Sequence, residues 1–429
     1  MSDYLIRGAR LLGGAAADVL ISGGTIAGIG AGLSSAGAER IDADGLVLLP
    51  GLVDLHTHLR EPGREDAETI ESGSRAAALG GFTAVCPMPN TDPVADNAGV
   101  VEMVAARGRE VGLVDVFPVG AVTLGQRGGE LAELGAMARS AAAVDCFSDD
   151  GRPIRQARLA RLALEYARAF DAVVADHAEE ASLTDGAQMH EGEVSAMLGL
   201  RGWPAAAEEM VVARDLLLAE LTGGRLHLCH LSTGGSVELV RAAKARGVRV
   251  TTEAAPHHFT LTDEAARSFD PVFKVNPPLR EKADVEAVRQ GLADGTIDAV
   301  ATDHAPHARE DKEVEWAAAP PGMLGLETAL GLVVTELVEP GWLTLPQAVE
   351  RLTAGPARCR RLPGHGGPLE PGAAANLTVF DPAARWTVDA AALASRARNT
   401  PYHGRQLSGR VVHVLLRGEF TVRDGGALR

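Results

Sequence analysis

The chain predicts an α/β fold, a (β/α)8 TIM-like barrel carrying a small β-sandwich domain built from both chain ends. Three observations carry that expectation. Apolar runs of strand length alternate with helical patterns through the middle of the chain. Both ends show β-like pieces separated by Gly-rich turns, without helical periodicity. No Gly-rich phosphate loop follows the first apolar run, which weighs against the competing open, doubly wound sheet.

In order, the first fifty residues supply short strands near Tyr4-Leu5-Ile6, Asp18 to Ile21 and Thr25 to Ile29, with a turn at Gly23-Gly24. The last sixty repeat that texture at residues 375–380 and 409–416. Neither end is long enough to bury a core alone, so the two are expected to pair. Between them lie eight runs, 52–58, 83–89, 115–122, 143–150, 172–179, 225–232, 248–258 and 298–307. Helical patterns at 68–79, 97–107, 158–169, 207–221 and 236–246 fill the gaps, the second with Asp96 placed to cap it. Eight such units over roughly 310 residues fit a barrel with some long loops, since about 250 residues is typical. The expected domains are 1–50 plus 365–429 for the small β domain and 51–364 for the hydrolase barrel.

A chain of 429 residues, 46% hydrophobic, buries a core larger than one ordinary domain needs. Its net charge of -16 favours neither nucleic acid nor an anionic membrane, and an anionic substrate would need its own arginines. Cys86, Cys146, Cys229 and Cys359 have neither zinc-finger nor redox spacing. The start lacks the pattern of a signal peptide, and no apolar stretch reaches about 18 residues, so a cytoplasmic protein is expected.

Active sites of such barrels lie at the C-terminal ends of the strands. Those ends carry His56 and His58, Asn90, Asp149 and Asp150, His177, His230, and Asp303 with His304 and His307. In a strand, side chains alternate faces, so His56 and His58 point the same way. Alone, His177 or His230 reads as a packed core histidine; together the set reads as metal ligands. Four imidazoles and two carboxylates exceed one tetrahedral site but divide into two that share a bridging carboxylate. Zinc suits these N and O donors best, with manganese and cobalt as alternatives. By strand parity with Leu226 and Leu228, His230 faces the mouth and His227 packs toward the helices as a structural residue. Of the adjacent His257 and His258, at most one faces inward.

Five segments together resemble class I dihydroorotases of the amidohydrolase superfamily. They are residues 51–63 with His56, His58 and Arg60; Met88-Pro89-Asn90-Thr91; Ser148-Asp149-Asp150-Gly151; residues 274–280 around Asn276; and residues 301–307. The resemblance spans nearly the whole chain. It implies that His56, His58 and Asp303 hold one zinc and His177 and His230 a second, with an aspartate and a hydroxide bridging them. Asp150 is the choice for that bridge, although strand parity leaves Asp149 open. Hydantoinases and allantoinases use a carboxylated lysine there, and no lysine lies near position 150.

The implied reaction is the reversible cyclisation of N-carbamoyl-L-aspartate to dihydroorotate in pyrimidine biosynthesis, with Asp303 as general acid and base. Arg60, Asn90 and His307 are the implied carboxylate partners, a guanidinium being suited to a bidentate grip, and Asn276 the partner of the ring amide. In the loop after the last strand, the charges at 309–313 are expected to be solvated, and backbone groups of Pro321 and Gly322 to touch substrate. A homodimer is expected, and an aspartate transcarbamoylase complex is one further assembly. The competing readings are a hydantoinase-like or allantoinase-like cyclic amidase, and a non-catalytic subunit of that complex.

Overall fold

In the computed structural model, which describes residues 3–428, the first fifty residues form β1 (Tyr4–Leu11), β2 (Ala16–Ser22), β3 (Thr25–Gly30), β4 (Glu39–Asp42) and β5 (Val47–Pro50). There follow β6 (Leu52–Thr57), β7 (Phe82–Pro87), β8 (Asp115–Val116), β9 (Cys146–Ser148) and β10 (Val173–Asp176). A two-stranded excursion, β11 (Met189–His190) with β12 (Gly202–Trp203), precedes β13 (Arg225–Leu228), β14 (Val250–Ala254) and β15 (Ala299–Val300). The chain closes with β16 (Leu377–Thr387), β17 (Gln406–Leu416), β18 (Glu419–Arg423) and β19 (Gly426–Ala427).

The two chain ends share one nine-stranded sheet, joined where β5 runs antiparallel to β16 with Leu48 opposite Val379. The interior strands pair in parallel, β6-β7-β8 in one sheet and β9-β10-β13-β14-β15 in another. Parallel bridges Gly120 to Phe147 and Thr57 to His304 connect these sheets at both seams. Within the two sheets the eight strands lie in chain order, and the bridging residues Gly120 and His304 fall just beyond β8 and β15.

Alternation along these strands sorts side chains between two environments. Ala84, Cys86, Cys146, Val173, Ala175, Ala299 and Ala301 meet in one buried cluster between the strands. Val85, Val174 and Val300 instead pack among helical residues. The small side chains on the first face leave room for the polar groups described below. Ala357, Cys359 and Leu362, in and just after the helix Ala354–Arg360, join the same cluster. The four cysteines are buried thiols.

Two local expectations are corrected. Asn97, not Asp96, caps the helix Ala98–Val111, its Oδ1 accepting from the Val100 amide at 3.3 Å. Asp96 instead accepts from the Gly125 amide at 2.8 Å, bracing the next loop. His227 does not pack toward the helices. Leu226 and Leu228 take that side, while the His227 ring reaches Thr251 Oγ1 at 2.8 Å and Glu253 Oε2 at 3.0 Å on β14. Parity failed because it was counted back from His230. That residue lies beyond β13 with φ of 30°, a left-handed conformation that breaks the alternation.

Candidate metal centre

The end of β6 delivers His56 and His58, whose ring centroids lie 5.4 Å apart. His56 Nε2 is 3.2 Å from Asp150 Oδ1 and 3.5 Å from Asp303 Oδ1. His58 Nε2 is 3.1 Å from Asp303 Oδ1 and 3.4 Å from Asp150 Oδ2. His230 Nε2 and His177 Nδ1, from the ends of β13 and β10, sit 3.5 Å and 3.7 Å from Asp150 Oδ1 and 3.0 Å from each other. All six sequence-predicted ligands therefore surround one point, and Asp150 touches every imidazole in it.

The neighbouring aspartate is turned away. Asp149 accepts from the backbone amides of Val122 and Thr123 at 2.9 Å and 3.0 Å, and from the Thr123 hydroxyl. It locks the loop after β8, which leaves Asp150 as the central carboxylate.

The donor set fits a metal, and the fit rests on buried atoms without hydrogen-bond partners. Glu253 Oε1 lies 2.7 Å from His56 Nδ1, and Asn90 Oδ1 lies 2.9 Å from His58 Nδ1. Both oxygens are acceptors, so each ring carries its proton on Nδ1 and aims the Nε2 lone pair at the carboxylates. His56 Nε2 and Asp150 Oδ1 are buried without a hydrogen-bond partner. Lone pairs facing carboxylates repel unless positive charge lies between them. Burial opposes charge on His56, yet Asp150 and Asp303 raise its pKa well above the ordinary value, so this position draws positive charge to Nε2, whether a proton or a metal ion. Burial likewise opposes ionisation of Asp150, but the neighbouring His56, with His177 and His230 beside it, holds its carboxyl well below the usual range. Three compact donor groups emerge, all sharing His56: with His58 and Asp303, with Asp150 and His230, and with Cys229 and Glu253.

Three carboxylates that strand-end reading did not single out support this cluster. Glu253, fully buried on β14, is shared between His56 and His227. Burial raises its pKa, but hydrogen bonds from His227 and His56 bring it down to about 2. Glu179 Oε2 lies 3.1 Å from His177 Nε2. Asp54 accepts from the Thr302 amide at 3.0 Å and hydroxyl at 2.6 Å, and from the His56 amide at 3.1 Å, pinning the end of β6 to that of β15. A usable signal existed for Glu253, since an acid inside an apolar run is almost never buried unpaired. Changing Glu253→Gln makes one contact of the pair a poor one, and metal affinity is expected to fall about ten- to a hundredfold. Competition against a chelator of known affinity measures it; unchanged affinity would remove Glu253 from this role.

A cavity of about 200 Å³ opens over the cluster. His58, Asp150, His177, His230 and Asp303 line it together with all of Arg60, Asn90, Asn276, His307, Pro321 and Gly322. Asn90 does more than face the cavity, because it also orients His58. Asn276 Nδ2 donates to Glu179 Oε2 at 3.3 Å, while its Oδ1 is buried and unpartnered. Arg60 Nε donates to Pro306 O at 3.0 Å. His307 Nε2 donates to Pro321 O at 2.8 Å, and burial with the Arg60 charge pushes its pKa down to about 3, so the ring is neutral. A side chain at position 322 would place its Cβ 2.6 Å from His307 Nε2, which accounts for glycine there.

Arg60, His230 and Asp303 all carry positive φ, at 60°, 30° and 47°. Such conformations cost about 1–3 kcal/mol each and persist where the surroundings dictate them. The loop expected to be solvated is only partly so. Lys312 leans inward and donates to the carbonyls of Pro320 and Pro271 at 2.8 Å and 3.0 Å. Among the described residues no helix is long and apolar enough to cross a membrane.

Parallel strands whose ends pool four imidazoles and two carboxylates around one cavity define a hydrolase of the amidohydrolase superfamily. The family profile described as dihydro-orotase-like matches residues 45–236. A dihydroorotase of Streptomyces coelicolor is 60% identical over 425 residues, covering 99% of both chains. One from Leifsonia xyli is 56% identical over 430 residues, covering 100% of this chain and 98% of its own. Among solved structures, the L-hydantoinase (dihydropyrimidinase) from Arthrobacter aurescens superposes with a TM-score of 0.88 at 27% identity, over 100% of this chain and 98% of that one. The chain belongs to the dihydroorotase family.

Proposed function

We propose that this chain is an active dihydroorotase, interconverting dihydroorotate plus water and N-carbamoyl-L-aspartate. The observation that carries the reading is that Arg60 lines the same small cavity as five of the six clustered ligands, His58, Asp150, His177, His230 and Asp303. The reading includes a (β/α)8 barrel over residues 51–364 and a small β-sandwich domain from 1–50 plus 365–429. It also includes two zinc ions per chain, one on His56, His58 and Asp303 and one on His177 and His230, with Asp150 between them.

Bound there, paired divalent cations supply a Lewis acid for the amide carbonyl and a water acidic enough to attack near neutral pH. The protein does the rest. Arg60, with Asn90 and His307, grips the substrate carboxylate, and a guanidinium matches that anion in shape and charge. Asn276 and the backbone at Pro321 and Gly322 take the ring amide edge, fixing which carbonyl meets the ligand cluster. Asp303 is ionised, because His56 and His58 outweigh the effect of its burial. It takes the proton of the attacking water and passes it to the departing ring nitrogen. In the synthetic direction the steps reverse: Asp303 receives the proton of the carbamoyl nitrogen, the ring closes, and water leaves.

The test is a spectrophotometric assay on the zinc-loaded protein. Interconversion of the two compounds in preference to hydantoin or allantoin is expected, and no interconversion would reject the reading. Arg60→Ala is expected to raise KM roughly tenfold to a hundredfold, the value of a charge-assisted hydrogen bond. An unchanged KM would leave the carboxylate without its proposed partner. A cytoplasmic homodimer, alone or with aspartate transcarbamoylase, is the proposed assembly, and sedimentation with and without that partner tests it.

A further inference from the structure

Asn399 lies far from every ligand in sequence, in the segment between the helix Ala390–Ala392 and β17. Its side chain is buried and fully committed. Asn399 Nδ2 donates to Ala305 O at 3.0 Å and Gly322 O at 3.1 Å, and its Oδ1 accepts from the His307 amide at 3.2 Å. Its backbone carbonyl accepts from the Leu324 amide at 3.2 Å.

Those contacts fall on the turn 305–307 and on the strand of chain that carries Gly322. The same turn offers Pro306 O to Arg60 Nε, and His307 in turn donates to Pro321 O. Every group proposed to meet the substrate carboxylate from this side therefore hangs on a turn that Asn399 ties to its opposite wall. The segment is itself anchored. Ser395 Oγ and the Arg396 amide donate to Glu68, which also accepts from Ser72 Oγ and lies 3.3 Å from His304 Nε2.

We propose that Asn399 is a positioning residue for carboxylate recognition, setting the spacing between Arg60, His307 and Gly322 without touching substrate. The inference rests on the reading of this cavity as a dihydroorotate site. Only an amide satisfies all three partners, because two are carbonyl acceptors and one is an N–H donor. A carboxylate in its place would face two carbonyls with no proton to offer, and the turn would shift away. A displacement of about 1 Å in a positioning group is enough to cost a hundredfold.

The experiment compares Asn399→Asp, Arg60→Ala and the double variant, each zinc-loaded, with metal content and melting temperature recorded. The expected result for Asn399→Asp is a KM for dihydroorotate raised at least tenfold, a smaller change in kcat, and unaltered metal content. The double variant should show a KM rise well short of the product of the two single rises, since both act on one carboxylate. Multiplying effects, or a loss confined to kcat, would overturn the proposal. If Asn399→Asp does not fold, Asn399→Ser, which keeps a small polar group, carries the same readout. Failure of both to fold would assign Asn399 to structure instead. If Arg60→Ala itself leaves KM unchanged, the fault lies in the functional reading, not in Asn399.

Discussion

Replacing Asp303 with asparagine is expected to lower kcat about 10²- to 10⁴-fold, the usual worth of a positioned acid–base group. The substitution keeps the volume and one oxygen, so residue 303 can still present an oxygen at the position now 3.1 Å from His58 Nε2. What it removes is the negative charge that receives a proton. Residue 303 stands at the seam between the last parallel strand and the first, in a left-handed backbone conformation held by the Thr302 and Asp54 contacts. The fold should therefore persist, and circular dichroism with elemental analysis of bound metal checks that. Residual turnover within tenfold of the parent would remove Asp303 from proton transfer.

The second large effect is expected at Asp150. Its two oxygens approach four imidazole nitrogens between 3.2 Å and 3.7 Å. Asp150→Asn keeps the shape and deletes a charge that all four imidazoles face. On the proposed two-metal reading, bound metal is expected to fall toward one equivalent or none, and turnover by about 10³-fold or more, since divalent cations would make water reactive near neutral pH. Elemental analysis beside the assay reads both quantities. Full metal content with near-normal turnover would dismiss the bridging role. The contrast with Asp149→Asn is informative: that carboxylate holds the amides of Val122 and Thr123, so its loss should appear first in thermal stability.

Much of this arrangement was legible because strand periodicity and strand ends are local properties. Each of the eight runs contains an observed parallel strand, and the histidines and aspartates at their ends converge. Legibility failed where geometry left the regular pattern. His227 was assigned the wrong side because His230 has a positive φ, and alternation cannot be counted through such a residue. Asp96 looked like a helix cap, but capping depends on which residue leaves the extended region last, and that was Asn97. Glu253 and Glu179 were passed over because attention fell on metal-ligand types, although a histidine ligand nearly always needs a carboxylate or carbonyl behind it. Asn399 had no local signal at all. Its partners lie 77 to 94 residues away, and only the folded chain brings them together.

The Asp54 clasp on Thr302 bears on how the protein comes into being. Residues 54 and 302 are separated by 248 positions, so during synthesis the histidines at the start of the ring emerge long before the acid that completes them. Loop closure over that distance is slow compared with local helix formation. Nascent chains therefore display an unfinished set of ligands, and the cluster around Asp150 is completed only once most of the polypeptide has been synthesised.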